Sequence, residues 1–350
     1  MKERIGYIDS LKGLAILLMV MGHVISCQFP SWNVAERESP YITLLVWRLI
    51  YSFHMPLLMF CSGLVALHIK EYTWKTVGNM LWKRACTLLL PFFTVGAIRY
   101  WTVGGKFLDY WYLWILFQFI IVVIAIDGLC SKLPKNGRVV SSCVIIISAV
   151  LVHIVWKYFM NYEEMPFIDV WHWNLFPYFC MGVICARYDL CTKWFSREWV
   201  YTIALLVFGG LTYWITIVGN RIPKISLTGC LVPISAIVML VYFFKNGKNE
   251  TSVVEKWLQN HGRNSLEIYV IHFFFLFKMH RVGTFVIEQA NTGSGTTIFF
   301  VQTMTSLIAS IVIILFCYVV MSSIHKSSLL SVILLGRGKI QLPNTETKIS

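Results

Sequence analysis

The chain has 350 residues and a net charge of +13, yet only 13% of its residues are charged while 57% are hydrophobic. A typical soluble domain carries about 25% charged residues, and no water-facing body of this size hides so much apolar surface, so an isolated enzyme domain in water is excluded. The basic residues lie in small groups between apolar runs rather than in one stripe, which excludes a nucleic-acid surface and fits anchoring beside an anionic cytoplasmic leaflet.

With about 20 residues as the length of one span, apolar runs fall at 9–28, 42–67, 85–103, 109–128, 139–157, 172–187, 199–218, 225–244, 265–285 and 297–321. The expected architecture is all-α: a polytopic membrane bundle of about ten transmembrane helices. It forms one domain over 1–325, followed by a short polar cytoplasmic tail over 326–350. The first run follows Lys2 and Arg4, but no small-residue cleavage site succeeds it, so it reads as a retained helix. The sixth run is short and interrupted by Pro177 and Gly182. With the N-terminus inside, cytoplasmic segments collect 21 of the 30 basic residues, which places both termini in the cytoplasm. The acidic loop at 158–171, with Glu163, Glu164 and Asp169, then falls outside. Asn249, Glu250 and Thr251 spell a glycosylation sequon, but in an inside loop where chance explains it.

Ionisable groups inside spans are costly and by default suggest function. His23 lies in the first helix, His54 in the second and His272 in the ninth. A single intramembrane histidine reads as a packing residue. Three in one bundle read as chemistry, because a neutral imidazole accepts a proton, attacks a thioester or orients a partner. Lys12 and His23 stand about 16 Å apart along one helix at about 1.5 Å per residue, linking a cationic inner mouth to a base past the midplane. Pro56, two residues after His54, frees a carbonyl where a site or cavity must satisfy it. Lys83 and Arg84 open the third helix at the same inner face. The ten cysteines, mostly inside apolar runs, read as small hydrophobes without metal-ligand spacing. No metal is expected.

Several of these segments together carry a resemblance. Tyr7-Ile8-Asp9-Ser10-Leu11-Lys12-Gly13-Leu14 running on to Gly22-His23, then Phe53-His54-Met55-Pro56-Leu57 with Ser62-Gly63, Lys83-Arg84 to Pro91, Trp111-Tyr112-Leu113-Trp114, and Asn264-Ser265-Leu266-Glu267-Ile268-Tyr269-Val270-Ile271-His272 follow in order. Taken together they resemble acyltransferase family 3, integral-membrane O-acyltransferases, and cover nearly the whole chain. Where the family usually has arginine in the first motif, this chain has Lys12, which keeps the charge but loses the bidentate fork. The resemblance points to the compact, stand-alone branch that acetylates sugars, without the soluble esterase-like domain of some members.

That resemblance implies transfer of an acetyl or other acyl group from cytosolic acetyl-CoA to a hydroxyl of a cell-surface glycan or lipid-linked saccharide, in the bacterial plasma (inner) membrane. Lys12, Lys83 and Arg84 would bind the donor phosphates. His23 would serve as general base or transient acyl acceptor, and His54 would orient the site or stabilise charge. His272 with Glu267 would support the wall from the ninth helix, although five positions apart they do not share a helical face closely. Trp111 and Trp114 would pack the pantetheine arm or a sugar face, with packing inside the bundle as the plainer account. Trp171, His172 and Trp173 read as an outer aromatic belt. The competing readings are a transporter or exporter of a glycan or small metabolite, which broken helices also fit, and an inert membrane anchor, which leaves three buried histidines without a reason.

Overall fold

The computed structural model describes residues 6–28, 41–66, 71–104, 107–133, 136–159, 170–218, 227–247, 252–279, 281, 284 and 295–337. Every regular element among them is helical. The order is α1 (Gly6–His23), α2 (Tyr41–Ala66), α3 (Trp74–Val103), α4 (Trp111–Cys130), α5 (Gly137–Phe159), α6 (Phe176–Tyr188) and the one-turn α7 (Leu190–Lys193). Then come α8 (Glu198–Val218), α9 (Leu227–Asn246), α10 (Val253–Arg263), α11 (Ser265–Ile271), α12 (Gly295–Ile324) and α13 (Ser328–Leu335).

Seven helices among the described residues are long and apolar enough to cross a membrane: α1, α2, α3, α4, α5, α9 and α12. They bear exposed apolar side chains such as Ile146, Ile147, Leu151, Ile308, Leu315 and Val319. In a water-facing protein such a belt would be an aggregation surface; here it faces hydrocarbon. The expected sixth span is a 3-10 turn followed by the 13-residue α6, and the ninth breaks after seven residues of α11 into a 3-10 turn at His272–Phe275. Glu163, Glu164 and Asp169 of the acidic loop, the sequon and most of 280–285 at the end of the ninth run lie outside the described residues.

Local chemistry sets the ends. Thr73 caps α3 by accepting from the Thr76 N–H, and Gly104 ends it at φ +69°, where a residue without Cβ suffers no clash. Ser252 caps α10 by accepting from the Glu255 N–H, the serine-to-glutamate spacing of a capping box. α10 has a strong apolar stripe and polar face that the length ruler for spans overlooks, and it packs against α1.

Two helix crossings hold the bundle through backbone-to-backbone approach. A Cβ at Gly13 would stand 1.9 Å from the Leu258 carbonyl oxygen, and one at Gly262 would stand 1.8 Å from that of Asp9. The second crossing joins α2 to α6, where a Cβ at Gly63 would lie 2.1 Å from the Phe179 oxygen and one at Gly182 2.1 Å from that of Phe60. Small residues permit such contact between helices in lipid.

Within the segment after residue 326, Ser328–Leu335 forms α13. α13 is apolar and lies along α3: the Thr94 hydroxyl donates to the Ile333 carbonyl at 2.7 Å, and Gly336 sits against the Thr87 backbone. Arg337 and His325 both reach the fully buried Glu267 carboxylate, the latter at 2.9 Å.

A second buried charge cluster ties α4, α5 and α6. Arg187 donates to both Asp127 oxygens at 2.8 and 2.7 Å and to the hydroxyls of Ser141 and Ser142 at 3.0 and 2.8 Å. Tyr72 donates to Asp127 at 2.9 Å. Burial first, and then the Asp127 charge, hold the Tyr72 phenol above its ordinary pKa, so it remains a donor.

Candidate active site

α1 carries His23 at its end, immediately before a five-residue π-helical turn at Val24–Gln28. π-turns inside helices are frequent at functional sites because they re-aim side chains. α11 carries His272 at the helix-to-3-10 break. These two irregularities bring the imidazoles together. His23 Nδ1 lies 2.9 Å from His272 Nε2, and the rings are nearly parallel at 3° with centroids 5.2 Å apart.

Hydrogen bonding fixes the proton positions. His272 Nδ1 sits 2.8 Å from the Tyr269 carbonyl and 3.1 Å from that of Ile268. Carbonyls only accept, so Nδ1 carries the hydrogen and the neutral ring presents a bare Nε2. His23 must therefore donate from its own Nδ1, which leaves its Nε2 with the free lone pair. An arrangement of this kind can act as a base with an oriented supporter, the logic of a nucleophile-activating triad with backbone carbonyls in the third place.

His54 is built likewise. It is 2% exposed on α2 and donates from Nδ1 to the Ile50 carbonyl at 2.7 Å, so its Nε2 is also bare. The Tyr51 ring meets it edge-on at 4.9 Å. α2 continues unbroken through Pro56. The following Ser62-Gly63 is structural: Gly63 makes the α6 crossing, and Ser62 donates to the Leu58 carbonyl while accepting from the Tyr112 hydroxyl at 2.7 Å.

The remaining expected site residues are dispersed. Lys12 is half-buried on α1, its charge acting on Cys61. Lys83 is exposed on α3. Arg84 turns to the end of α2, donating to the Val65 and Ala66 carbonyls at 3.3 and 3.1 Å; a cation there offsets the negative end of the helix dipole. Glu267 does not meet His272. It points the other way, into the His325 and Arg337 contacts, because neighbours five apart on α11 face different sides. Trp111 stacks on His172 at 3.5 Å and 7°, and Trp114 stacks on Phe92 at 5.7 Å, so both are held in aromatic packing.

A wall beside the histidines lies outside the residues expected from the sequence. Arg99 near the end of α3 pairs with Asp109 in the turn before α4 and stands 4.7 Å over the Phe273 ring. Phe273 in turn lies 4.9 Å from the His23 ring and 4.2 Å from that of His272. Tyr269 Oη accepts from the Tyr112 N–H at 3.3 Å and donates to the Asp109 carbonyl at 3.2 Å. The available signal was Arg99 itself, a cation inside an apolar run.

A mainly apolar groove of about 570 Å³ lies between α1, α2, α8 and α12, lined by residues such as Met21, Leu49, Ile50, Phe208 and Phe299. Its lining carries no histidine, carboxylate, lysine or arginine.

Residues 5–322 match the family of the acyltransferase domain, nearly the whole chain. A curated relative, nodulation protein NolL of Sinorhizobium fredii (strain NBRC 101917 / NGR234), is 27% identical over 199 residues, covering 51% of this chain and 48% of its own length. The chain thus spans about half the length of that curated relative. No solved structure matches it. A tautomerically ordered histidine pair, His272 buried and His23 half-buried, sits within the span of that family match in a polytopic membrane bundle, and the chain belongs to acyltransferase family 3.

Proposed function

We propose that the protein is a membrane O-acetyltransferase that moves acetyl from cytosolic acetyl-CoA to a hydroxyl of a cell-surface glycan or lipid-linked saccharide. The observation that carries this reading is the bare Nε2 of His23, held by the bond from its Nδ1 to His272 at 2.9 Å. A sugar hydroxyl is a poor nucleophile until a base takes its proton during attack. In this reading the acceptor oxygen adds to the thioester carbonyl while its proton passes to His23 Nε2. The tetrahedral intermediate then collapses, the C–S bond breaks, and the departing thiolate takes the proton from His23. The products are an O-acetyl ester and free coenzyme A thiol.

His272 stays neutral and accepts from His23 Nδ1 throughout, which stabilises the imidazolium as it forms. His54 faces the reaction as a second neutral imidazole that orients the acceptor. Lys12, about 16 Å along α1 from His23, meets the donor phosphates at the inner side with Lys83 and Arg84. Both termini then face the cytoplasm, the bundle counts about ten spans, and the bilayer is a bacterial plasma membrane.

The test is reconstitution of the purified protein in proteoliposomes with labelled acetyl-CoA on the Lys12 side and envelope glycan from the source cells on the other. Label in the glycan with wild type, lost in His23→Gln, supports the reading. Equal label with His23→Gln, or none with wild type, refutes it. Mass spectrometry of surface glycans from cells with and without the gene adds an acetyl-sized mass difference as a second measure.

A further inference from the structure

Acyl transfer needs more than a base: the carbonyl oxygen becomes an oxyanion, and fixed donors aimed at it usually supply the largest share of catalysis. Two donor atoms beside the histidine pair have no partner among the described residues. Tyr110 is fully buried, and its hydroxyl has no hydrogen-bond partner among the described residues. Arg99 is 15% exposed, its Nη1 is taken by Asp109, and its buried Nε is likewise without a partner among the described residues.

An unpaired buried donor costs about 1–3 kcal/mol, more for a charged group. Two of them against one ring call for a ligand that repays the loss. Both touch the same ring: Phe273 lies 4.7 Å beneath the Arg99 guanidinium and 5.5 Å from the Tyr110 ring, edge-on. That ring also contacts His23 and His272. One phenyl group thus separates two unsatisfied donors from the base. The Asp109 pair anchors one edge of the guanidinium, and Tyr269 bonded to the Asp109 carbonyl braces the turn that carries Tyr110.

We propose that Tyr110 Oη and Arg99 Nε bind the carbonyl oxygen of the acyl donor and carry its negative charge in the tetrahedral intermediate. The inference rests on the acyl-transfer reading above. As the acceptor oxygen bonds to the carbonyl carbon, its proton goes to His23 and the carbonyl π pair moves onto the oxygen facing Tyr110 and Arg99. On collapse that pair reforms the C=O bond and the C–S bond pair leaves with sulfur. Both residues are catalytic residues in this scheme.

The experiment compares wild type, Tyr110→Phe, Arg99→Gln, Arg99→Lys and His23→Gln in proteoliposomes, with labelled acetyl-CoA and envelope glycan as probes and thermal unfolding measured for each. Tyr110→Phe removes one oxygen that bonds to nothing among the described residues, so its melting midpoint should stay at or above that of wild type. Its kcat should fall about 10²–10³-fold, with the KM for acetyl-CoA within a few-fold. Arg99→Gln should lose a similar factor, and Arg99→Lys should recover part of it; if Arg99→Gln does not fold, Tyr110→Phe alone decides. A Tyr110→Phe enzyme within a few-fold of wild type in kcat, or altered only in KM, overturns the oxyanion assignment while a silent His23→Gln leaves the acyl-transfer reading standing. Absence of transfer by wild type itself overturns both.

Discussion

His23 Nδ1 and His272 Nε2 lie 2.9 Å apart, and the carbonyls behind His272 dictate which nitrogen of each ring carries the hydrogen. The direction of the whole chain of bonds follows from two backbone oxygens that can only accept. His23→Gln should therefore lower transfer by about 10²–10⁴, the usual worth of a positioned base. His272→Phe, which keeps the ring packing but removes the acceptor, should cost about 10–100-fold, the range for a group that orients another. Turnover of labelled acetyl-CoA measures both. An undiminished rate in His272→Phe would mean that His23 needs no orienting partner.

The α2–α6 crossing makes a steeper claim on stability than on chemistry. A methyl at Gly63 or Gly182 meets backbone oxygen at 2.1 Å, not the tip of a flexible side chain. Either alanine variant must push two helices apart, so each should lose at least about 1–3 kcal/mol, the usual cost of overpacking. The check is the melting midpoint in detergent. Gly209→Ala, where a Cβ meets nothing within 4 Å, should melt with wild type, and equal midpoints for all three would refute the close crossing.

Asp127 and Arg187 pair with side chains 7% and 10% exposed. Removing one partner leaves an uncompensated buried charge, which costs about 3–5 kcal/mol. Arg187→Met and Asp127→Leu should each melt well below wild type. The double variant Asp127→Leu, Arg187→Met should be less damaged than the sum of the single changes, because no lone charge remains. Strict additivity would argue against a direct pair.

Much of the outline was legible because lipid simplifies the code. Spans such as α4 and α12 are long apolar runs that nothing else explains, and the three histidines stood out against them. What periodicity could not yield was partnership. That His272 joins His23 depends on a helix break after Ile271, and Glu267 turns away from it to meet Arg337, more than sixty residues later in the chain. The amphipathic α10 escaped a ruler tuned to apolar length, and α13 was hidden in a segment read as polar tail. Arg99 and Tyr110 were visible as residues, but their unpaired atoms are a property of three-dimensional packing alone.

Acid should loosen the joint between α10 and α12 through His261. Its side chain is 3% exposed, donates from Nδ1 to the Trp257 carbonyl at 2.7 Å, and lies 3.5 Å from the Tyr318 hydroxyl. Burial holds its pKa below the ordinary 6.5, and the bond to Trp257 opposes that only in part. Above pH 6.5 the ring is neutral folded or unfolded, so the group adds no pH dependence. Below it the unfolded chain takes a proton that the folded chain refuses, and stability falls until the depressed folded pKa is reached. The slope contributed is at most about 1.4 kcal/mol per pH unit. Melting midpoints of wild type and His261→Phe in detergent at pH 7.5 and 5.5 isolate the effect from other titrating groups. Wild type should lose more on acidification than the variant, and parallel losses would show that His261 is charged as readily inside the fold as outside it.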